Sequence, residues 1–324
     1  MKKTRPTRRR RRSETPASRG HLLTEQRHPG SADLDGMSIA AAFDLMNAED
    51  RRIPAAVAKA KPAIIKAVAL VSRAWRRGGR LIYVGAGTSG RLGVLDAAEC
   101  PPTFRSDPRM VRGLIAGGRK ALWRSVEGAE DDEQAARIAL DDLRIGRHDV
   151  IMGIATGGTT PFVHTALAYA RSRRAMTVFL ACVPRSQVRA VCDVDIRVLV
   201  GPEILSGSTR LKAGTATKLV LNAITTLSMV RIGKTFGNLM VDLNSYACRK
   251  LTERATRVVA AATGASSREA AALLRSARGR AKTAIIMKRC GLSRTKAEVL
   301  LDAHHGHVRS VLRNPARPST RRRP

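Results

Sequence analysis

The sequence predicts an α/β protein: a doubly wound, five-stranded parallel sheet with flanking N-terminal helices and a small C-terminal helical subdomain. Across the middle of the chain, short apolar runs alternate with segments of helical periodicity, which is the pattern of a parallel sheet covered on both faces. The apolar runs end in glycine, proline or hydroxyl residues, as strands do where the chain turns towards a helix. On either side of this region the apolar residues keep helical spacing only, so helices are expected there.

The individual elements follow in chain order. Residues 37–77 show helical spacing that is interrupted near Pro54 and Pro62, which predicts two or three helices. Five apolar runs are predicted as strands: Leu81–Val84, Val111–Ala116, Val150–Ala155, Thr177–Ala181 and Ile196–Val200. A long helix is expected from Lys212 to Ile232, and three shorter helical patterns lie between Ala261 and Leu312.

Charge and composition divide the chain into four parts. We predict a disordered basic tail at 1–22, the sheet domain at 23–260, the helical subdomain at 261–312 and a second disordered basic tail at 313–324. The formal net charge is +33, of which residues 1–20 carry +8 and residues 313–324 carry +5. Such runs of like charge bury too little apolar surface to fold. The simplest interpretation is a solubilising extension; the alternative is weak, salt-dependent adhesion to nucleic acid or another polyanion.

Several classes of protein are disfavoured. The apolar stretches are too short to span a bilayer, and the N-terminal arginines lead into polar sequence, so neither a membrane anchor nor a signal peptide is expected. Five cysteines without a Cys-x-x-Cys pair predict reduced thiols, and hence a cytoplasmic protein without a disulfide framework or zinc site. His304, His305 and His307 lack acidic or cysteine partners at ligand spacing, so we predict a turn or surface role and no metal.

The loop after the first predicted strand has the composition of a phosphate site. The run ends at Val84, and the glycines that follow allow the backbone to approach a ligand closely. Thr88 and Ser89 can cap the next helix or donate to phosphate oxygens, and the N-terminus of that helix favours an anion. We therefore predict phosphate binding at Gly87, Thr88 and Ser89, although a βα turn needs similar residues for structural reasons alone.

Two further segments repeat this chemistry. The second follows the third strand and offers hydroxyls and free amides at Thr156, Gly158, Thr159 and Thr160. The third precedes the long helix and adds Ser206, Ser208, Thr209 and Lys212. Because the carboxyl ends of parallel strands meet at one edge of the sheet, these segments are expected to hold one small phosphorylated ligand between them.

Two glutamates stand out in this basic chain. Glu99 precedes Pro101 and Pro102, which are expected to end its helix, and Glu130 lies in an acidic run that could instead cap the helix after it. An isolated glutamate is more often a solvated surface residue. Two glutamates beside one phosphosugar would suit paired general acid and base catalysis.

Four blocks in this order resemble the sugar isomerase (SIS) phosphosugar-binding fold and, within it, the N-acetylmuramic acid 6-phosphate etherases. They are the first loop through Phe104, Val126–Asp131, Gly207–Ala216 and Gly237–Asp242. The resemblance runs from about Thr24 to Leu312. It implies cleavage of the D-lactyl ether of N-acetylmuramic acid 6-phosphate during cell-wall recycling. It also implies that Glu130 removes the C2 proton, that Glu99 protonates the departing lactate oxygen, and that no metal or redox cofactor takes part.

Two features of the sequence complicate this expectation. Glu99 lies about 15 Å beyond Ser89 along an ideal helix, so we expect either a bent helix or a Glu99 that serves a second subunit, and we predict a homodimer with a shared active site. In the second loop, Gly157 stands where the etherases commonly have a phosphate-binding serine, so Thr156 or Thr159 would have to substitute. The alternative function is sugar-phosphate sensing without turnover, as in the related glucokinase regulatory protein; the retained glutamates favour the enzyme.

Overall fold

The computed structural model describes residues 19–246 and 248–315. The predicted tails therefore lie largely outside the described residues, at 1–18 and 316–324. Residues 19–22 lie against the sheet domain, where Leu22 is only 1% exposed and packs in an apolar cluster. The folded region thus includes these four residues, which we had assigned to the N-terminal tail.

Three helices precede the sheet, as the sequence predicts: α1 (Ile39–Asp50), α2 (Ile53–Lys59) and α3 (Lys61–Arg76). The hydroxyl of Ser38 caps α1 by accepting a hydrogen bond from the Ala41 amide at 3.2 Å. Pro54 and Pro62 lie in the first turns of α2 and α3, where a missing N–H costs nothing, so the prolines separate the helices without breaking them.

The sheet is parallel and five-stranded, in the order β2-β1-β3-β4-β5. Its strands are β1 (Leu81–Gly85), β2 (Val111–Ile115), β3 (Val150–Ile154), β4 (Met176–Ala181) and β5 (Val194–Arg197). The first four agree closely with the prediction. The fifth was predicted at Ile196–Val200 but begins and ends earlier, because Val198 and Val200 stay buried beyond the end of the strand and prolong the apolar pattern.

Helices cover both faces of the sheet, which confirms the doubly wound architecture. The covering helices besides α3 are α4 (Gly87–Phe104), α5 (Glu133–Asp142), α6 (Pro161–Ser172) and α7 (Lys212–Arg231). One buried cluster packs α3, α4 and α7 against the sheet, and a second packs α5 and α6 against its other face. The long helix predicted from Lys212 is confirmed as α7.

Helix α4 was predicted to end before its prolines, and this prediction is wrong. It continues through Pro101 and Pro102 to Phe104, and the Arg105 amide donates to the Pro101 carbonyl at 2.8 Å. Cys100 and Phe104, on either side of the prolines, are 3% and 6% exposed, so their burial outweighs the local preference against a helix. Glu99 therefore lies within α4 and not at its end.

The C-terminal region forms a helical unit with its own core. A short hairpin of β6 (Thr235–Phe236) and β7 (Leu239–Met240) leads into α8 (Arg249–Thr263), α9 (Ser267–Ser276), α10 (Ala281–Cys290), α11 (Arg294–Ala303) and α12 (Val308–Arg313). One apolar cluster runs from Val241 to Val311. The predicted boundary between the sheet domain and the helical subdomain, at 260/261, stays a prediction. The apolar cluster favours a helical subdomain that starts near residue 235. Within the described residues, none of the helices has the length and hydropathy needed to cross a membrane.

Candidate active site

The loops after β1 and β3 lie side by side at the carboxyl edge of the sheet. The two strands are neighbours, and Gly85 at the end of β1 pairs in register with Ile154 at the end of β3. The residue that precedes α4 is Ala86, and neither Thr88 nor Ser89 caps the helix. The structure thus brings the first two predicted phosphate loops together and leaves the N-terminus of α4 without a side-chain cap.

The hydroxyls of the three predicted phosphate segments make no side-chain hydrogen bond to any described residue. This holds for Thr88, Ser89, Thr156, Thr159, Thr160, Ser206, Ser208 and Thr209. Elsewhere, buried hydroxyls such as those of Ser72 and Thr217 donate to backbone carbonyls at 2.6 and 2.8 Å. Polar groups near a protein surface that lack a partner are available to a ligand.

The second loop turns sharply at Gly158, whose φ is +84°. A Cβ at this position would lie 2.8 Å from a methyl group of Val183, so only glycine fits. The Gly158 carbonyl contacts His164 Nε2 at 2.6 Å, which fixes the loop to α6. Thr160 precedes α6 without capping it through its side chain, so a second uncapped helix N-terminus faces the same edge of the sheet.

The third segment is arranged differently. The carboxylate of Glu203 accepts hydrogen bonds from the amides of Lys212 and Ala213 at 3.0 and 2.9 Å, so the N-terminus of α7 is already occupied by an acid. The methyl group of Thr88 lies 3.6 Å from the position that a Cβ on Gly214 would take, so the first loop contacts the first turn of α7.

Lys212, predicted as a substrate ligand, has its side chain in a buried ion pair. Its side chain is 3% exposed, and its ammonium lies 2.5 Å from Glu49 Oε2. Arg52 and His28 also contact this carboxylate, at 2.8 and 3.4 Å. Burial raises the pKa of Glu49, but hydrogen bonds from Lys212 and Arg52 outweigh it and lower the pKa to about 2.

Glu130 lines a cavity that opens at the start of α4. The cavity has a volume of about 380 Å³, and its lining also includes Gly87, Arg91, Ser125, Glu127 and Asp131. Arg91 donates to the Leu122 carbonyl at 3.1 Å and so ties the following segment to α4. The Glu130 carboxylate is about half exposed (47%) and lies 3.7 Å from the Arg19 guanidinium. Asp132, and not Glu130, caps α5, by accepting from the Ala135 amide at 2.9 Å.

Glu99 lines a different cavity. This second cavity, of about 680 Å³, lies between α4 and α7 beside the β6–β7 hairpin, and side chains such as Leu95, Phe104 and Val230 make its wall largely apolar. Within one protomer the structure therefore places the two predicted catalytic glutamates in separate cavities.

A buried polar network that the sequence analysis missed lies one turn before Glu99. The carboxylate of Asp96 accepts hydrogen bonds from Tyr83 at 2.8 Å, Asn222 at 2.7 Å and Thr225 at 3.2 Å. Burial raises the pKa of Asp96 above its ordinary value, because its effect outweighs that of the three hydrogen bonds, which lower the pKa. The only sequence signal was an acidic residue three positions before Glu99, which does not reveal partners on a strand and a distant helix.

The N-terminal strap, defined as residues 19–36, was also missed. It begins at Arg19 beside Glu130, and Thr24 lies next to the second loop, 3.6 Å from the position of a Cβ on Gly157. Glu25 lies beside Gly207, and the hydroxyl of Ser31 donates to the Ile204 carbonyl at 2.7 Å. The strap thus contacts the second loop, the third segment and Glu130.

The C-terminal histidines lie in and next to a turn of the helical subdomain. His304 Nδ1 contacts the Ser310 hydroxyl at 3.0 Å, and burial, with Lys282 nearby, lowers the pKa of His307. In the described part of the chain, no group of three or more His, Cys, Asp or Glu is arranged to hold a metal ion.

Comparison with known proteins gives consistent matches. A family model described as the glucokinase regulatory protein N-terminal SIS domain matches residues 63–171. The N-acetylmuramic acid 6-phosphate etherase of Synechococcus elongatus is 53% identical over 296 residues, covering 91% of this chain and 96% of that protein. The etherase of the same name from Gloeobacter violaceus is 54% identical over 269 residues, covering 83% of this chain and 88% of that protein. Among solved structures, a phosphoheptose isomerase from Neisseria gonorrhoeae is 17% identical with a TM-score of 0.46, covering 60% of this chain and 100% of its own.

Proposed function

This chain belongs to the N-acetylmuramic acid 6-phosphate etherase family, and we propose that Glu130 and Glu99 are the base and the acid of the family's reaction. The protein is a carbon–oxygen lyase. It cleaves the D-lactyl ether of N-acetylmuramic acid 6-phosphate to N-acetylglucosamine 6-phosphate and D-lactate in cell-wall recycling. The residues that perform each step are inferred from the site described above.

Glu130 is suited to the first proton transfer. In the open-chain sugar the C1 aldehyde acidifies the C2 proton, and a carboxylate in a partly solvated cavity can accept it. The electron pair of the C2–H bond forms the C2–C3 double bond, and the C3–O bond to lactate breaks. Glu130 lines the same cavity as Gly87 at the start of α4, and this is the observation that carries the proposal: base and phosphate loop face one space.

Glu99 would supply a proton to the lactate oxygen as the C3–O bond breaks. Glu99, now a carboxylate, takes a proton from water as the water oxygen bonds to C3 of the unsaturated aldehyde, and Glu130 returns its proton to C2, so both residues regain their starting state. Glu99 lines the cavity between α4 and α7, and Gly87 lines the other cavity. We therefore infer that Glu99 acts in the active site of a second copy of the chain. The active unit is accordingly a homodimer with shared sites.

The phosphate would lie between the first two loops. Two uncapped helix N-termini and the free hydroxyls of Thr88, Ser89, Thr159 and Thr160 converge there. Thr156 and Gly158 shape the second loop, and Ser206, Ser208 and Thr209 extend the hydroxyl surface towards α7. Lys212 contributes by fixing α7 through Glu49 and does not contact the phosphate.

Two further properties are proposed with the function. All five cysteines are free thiols, which is typical of a reducing compartment and supports a cytoplasmic location. The basic tails would bind polyanions only weakly and in a salt-dependent manner.

The deciding experiment incubates the purified protein with N-acetylmuramic acid 6-phosphate and measures D-lactate. Lactate release is the expected result, and unphosphorylated N-acetylmuramic acid is the control substrate. If the protein binds N-acetylglucosamine 6-phosphate and releases no lactate, it is instead a sugar-phosphate sensor. The match to the glucokinase regulatory protein domain is the observation that favours this alternative.

A further inference from the structure

The second loop contains an open gap at Gly157. Among the described residues other than Thr156 and Gly158, a Cβ built on Gly157 would have one neighbour within 4 Å, the Thr24 hydroxyl oxygen at 3.6 Å. The gap lies just before α6, a helix of 12 residues whose N-terminus has no side-chain cap. The positive end of the α6 dipole is thus close along the chain, and it favours an oxyanion in this region.

Thr24 directs an unsatisfied hydroxyl at this gap. The residue is fully buried (0% exposed), and its Oγ1 has no hydrogen-bond partner among the described residues. A buried hydroxyl without a partner is rare and costs its full desolvation. Packing alone does not require a hydroxyl here, because valine has the same shape.

The strap holds Thr24 firmly in this position. On one side Leu22 is buried in the core and the Leu23 amide donates to Gln187 Oε1 at 2.9 Å; on the other side Ser31 is bonded to the Ile204 carbonyl. The backbone is thus anchored on both sides of Thr24, and the residue cannot reach solvent unless the strap detaches. A preorganised donor of this kind is what a tightly held anion requires.

We propose that the Thr24 hydroxyl donates a hydrogen bond to an oxygen of the substrate phosphate, seated in the gap beside Gly157. The inference rests on the proposed function, since that function supplies a phosphomonoester at this edge of the sheet. Thr24 is then a binding residue contributed by the strap, and it supplies the hydroxyl that a serine at position 157 would otherwise provide.

The test compares Thr24→Val, which replaces the hydroxyl with a methyl group, with Thr24→Ser, which retains it. Titrations with inorganic phosphate and with N-acetylglucosamine 6-phosphate should show binding weakened about tenfold in the valine variant and nearly unchanged in the serine variant. In lactate release, KM should rise by a similar factor with little change in kcat. Gly157→Ser in the Thr24→Val background should recover affinity, because it places a hydroxyl in the same gap.

Thr263→Val is the matched control, since its hydroxyl donates to the Val259 carbonyl in the helical subdomain; it should leave phosphate affinity unchanged. A Thr24→Val protein with a raised melting temperature and the affinity of the parent would overturn the proposal and identify the hydroxyl as a packing defect. If Thr24→Val does not fold, Thr24→Ala gives the same measurement. If the parent releases no lactate, the proposed function fails, and the phosphate titrations still decide the role of Thr24.

Discussion

The first turn of helix α4 leaves the hydroxyls of Thr88 and Ser89 without partners in the described protein, whereas Asp96, in the middle of the helix, accepts three hydrogen bonds and fixes the helix to β1 and α7. The first turn borders the cavity of Glu130, and the segment after Asp96 presents Glu99 to a separate, more apolar cavity. Polar groups without partners are available to a ligand, whereas a fully bonded carboxylate holds the backbone around it in place. Under the proposed function, phosphate binding and protonation of the leaving group therefore belong to two different segments of one helix.

The largest expected effect comes from removing either carboxylate. Glu130→Gln and Glu99→Gln should each lower kcat for lactate release by about 10²–10⁴-fold, because each removes a proton transfer. Both side chains are exposed, so melting temperature and affinity for N-acetylglucosamine 6-phosphate should stay near those of the parent. Glu127→Gln, which lines the cavity of Glu130, is the control and should retain most activity. Full activity in either principal variant would remove that glutamate from the reaction.

The start of α7 extends the comparison, because it borders the first loop but has protein partners for the amides of Lys212 and Ala213 and for the Lys212 ammonium. The pKa of Glu49 is about 2, below its usual 4.5, so its contribution to stability is complete above pH 4.5 and is lost as the pH falls towards 2. The free energy of unfolding should fall by up to about 3 kcal/mol more in the parent than in Glu49→Gln over that range. Urea denaturation at several pH values measures the difference. Parallel pH profiles for the two proteins would show that the Lys212–Glu49 pair does not stabilise the fold.

Sequence patterns predicted most of the fold because alternation and helical spacing are local. The course of α4 through Pro101 was not predictable in this way, since burial of Cys100 and Phe104 in the tertiary core decides it. The burial of Lys212 was missed for a related reason: its partner Glu49 lies 163 residues away in the sequence.

In the site, glycines and hydroxyls after strands correctly marked two helix starts, but that both helices lack a side-chain cap was seen only in the structure. The role of the strap was missed because only Leu22 in its first turn is a buried apolar residue, and a single residue cannot show a periodic pattern. The distance of Glu99 from Ser89 was predicted from the rise per residue of a helix, whereas the cavities that Glu99 and Glu130 line depend on the packing of α7 and of the 122–131 segment.

A smaller effect is expected from loosening the middle of α4, where Asp96 fixes the helix to β1 and α7. Asp96→Ala leaves the hydroxyl of Tyr83 and the amide of Asn222 without their acceptor, so it should destabilise the protein by about 1–3 kcal/mol. It should also lower kcat with little change in KM, because Glu99 is displaced while the phosphate loop is intact. Tyr83→Phe, which removes one of the three bonds, should show the same split to a lesser degree. A rise in KM with unchanged kcat would mean that this segment of the helix belongs to the binding region.

The smallest effect, a partial recovery of activity, tests whether the first turn of α4 and the segment that carries Glu99 serve different active sites. If Glu99 acts across a dimer, a mixed dimer of Glu99→Gln and Glu130→Gln chains has one site with both defects and one site with neither. Random exchange of equal amounts, in which half of the dimers are mixed, should restore about a quarter of the parent's activity from two nearly inactive proteins. Mixing each variant with the double variant Glu99→Gln/Glu130→Gln is the control and should restore nothing. Absence of recovery after subunit exchange has been verified by mass would place both glutamates in the same protomer's site, and α4 would then have to bend or shift to bring Glu99 to the cavity of Glu130.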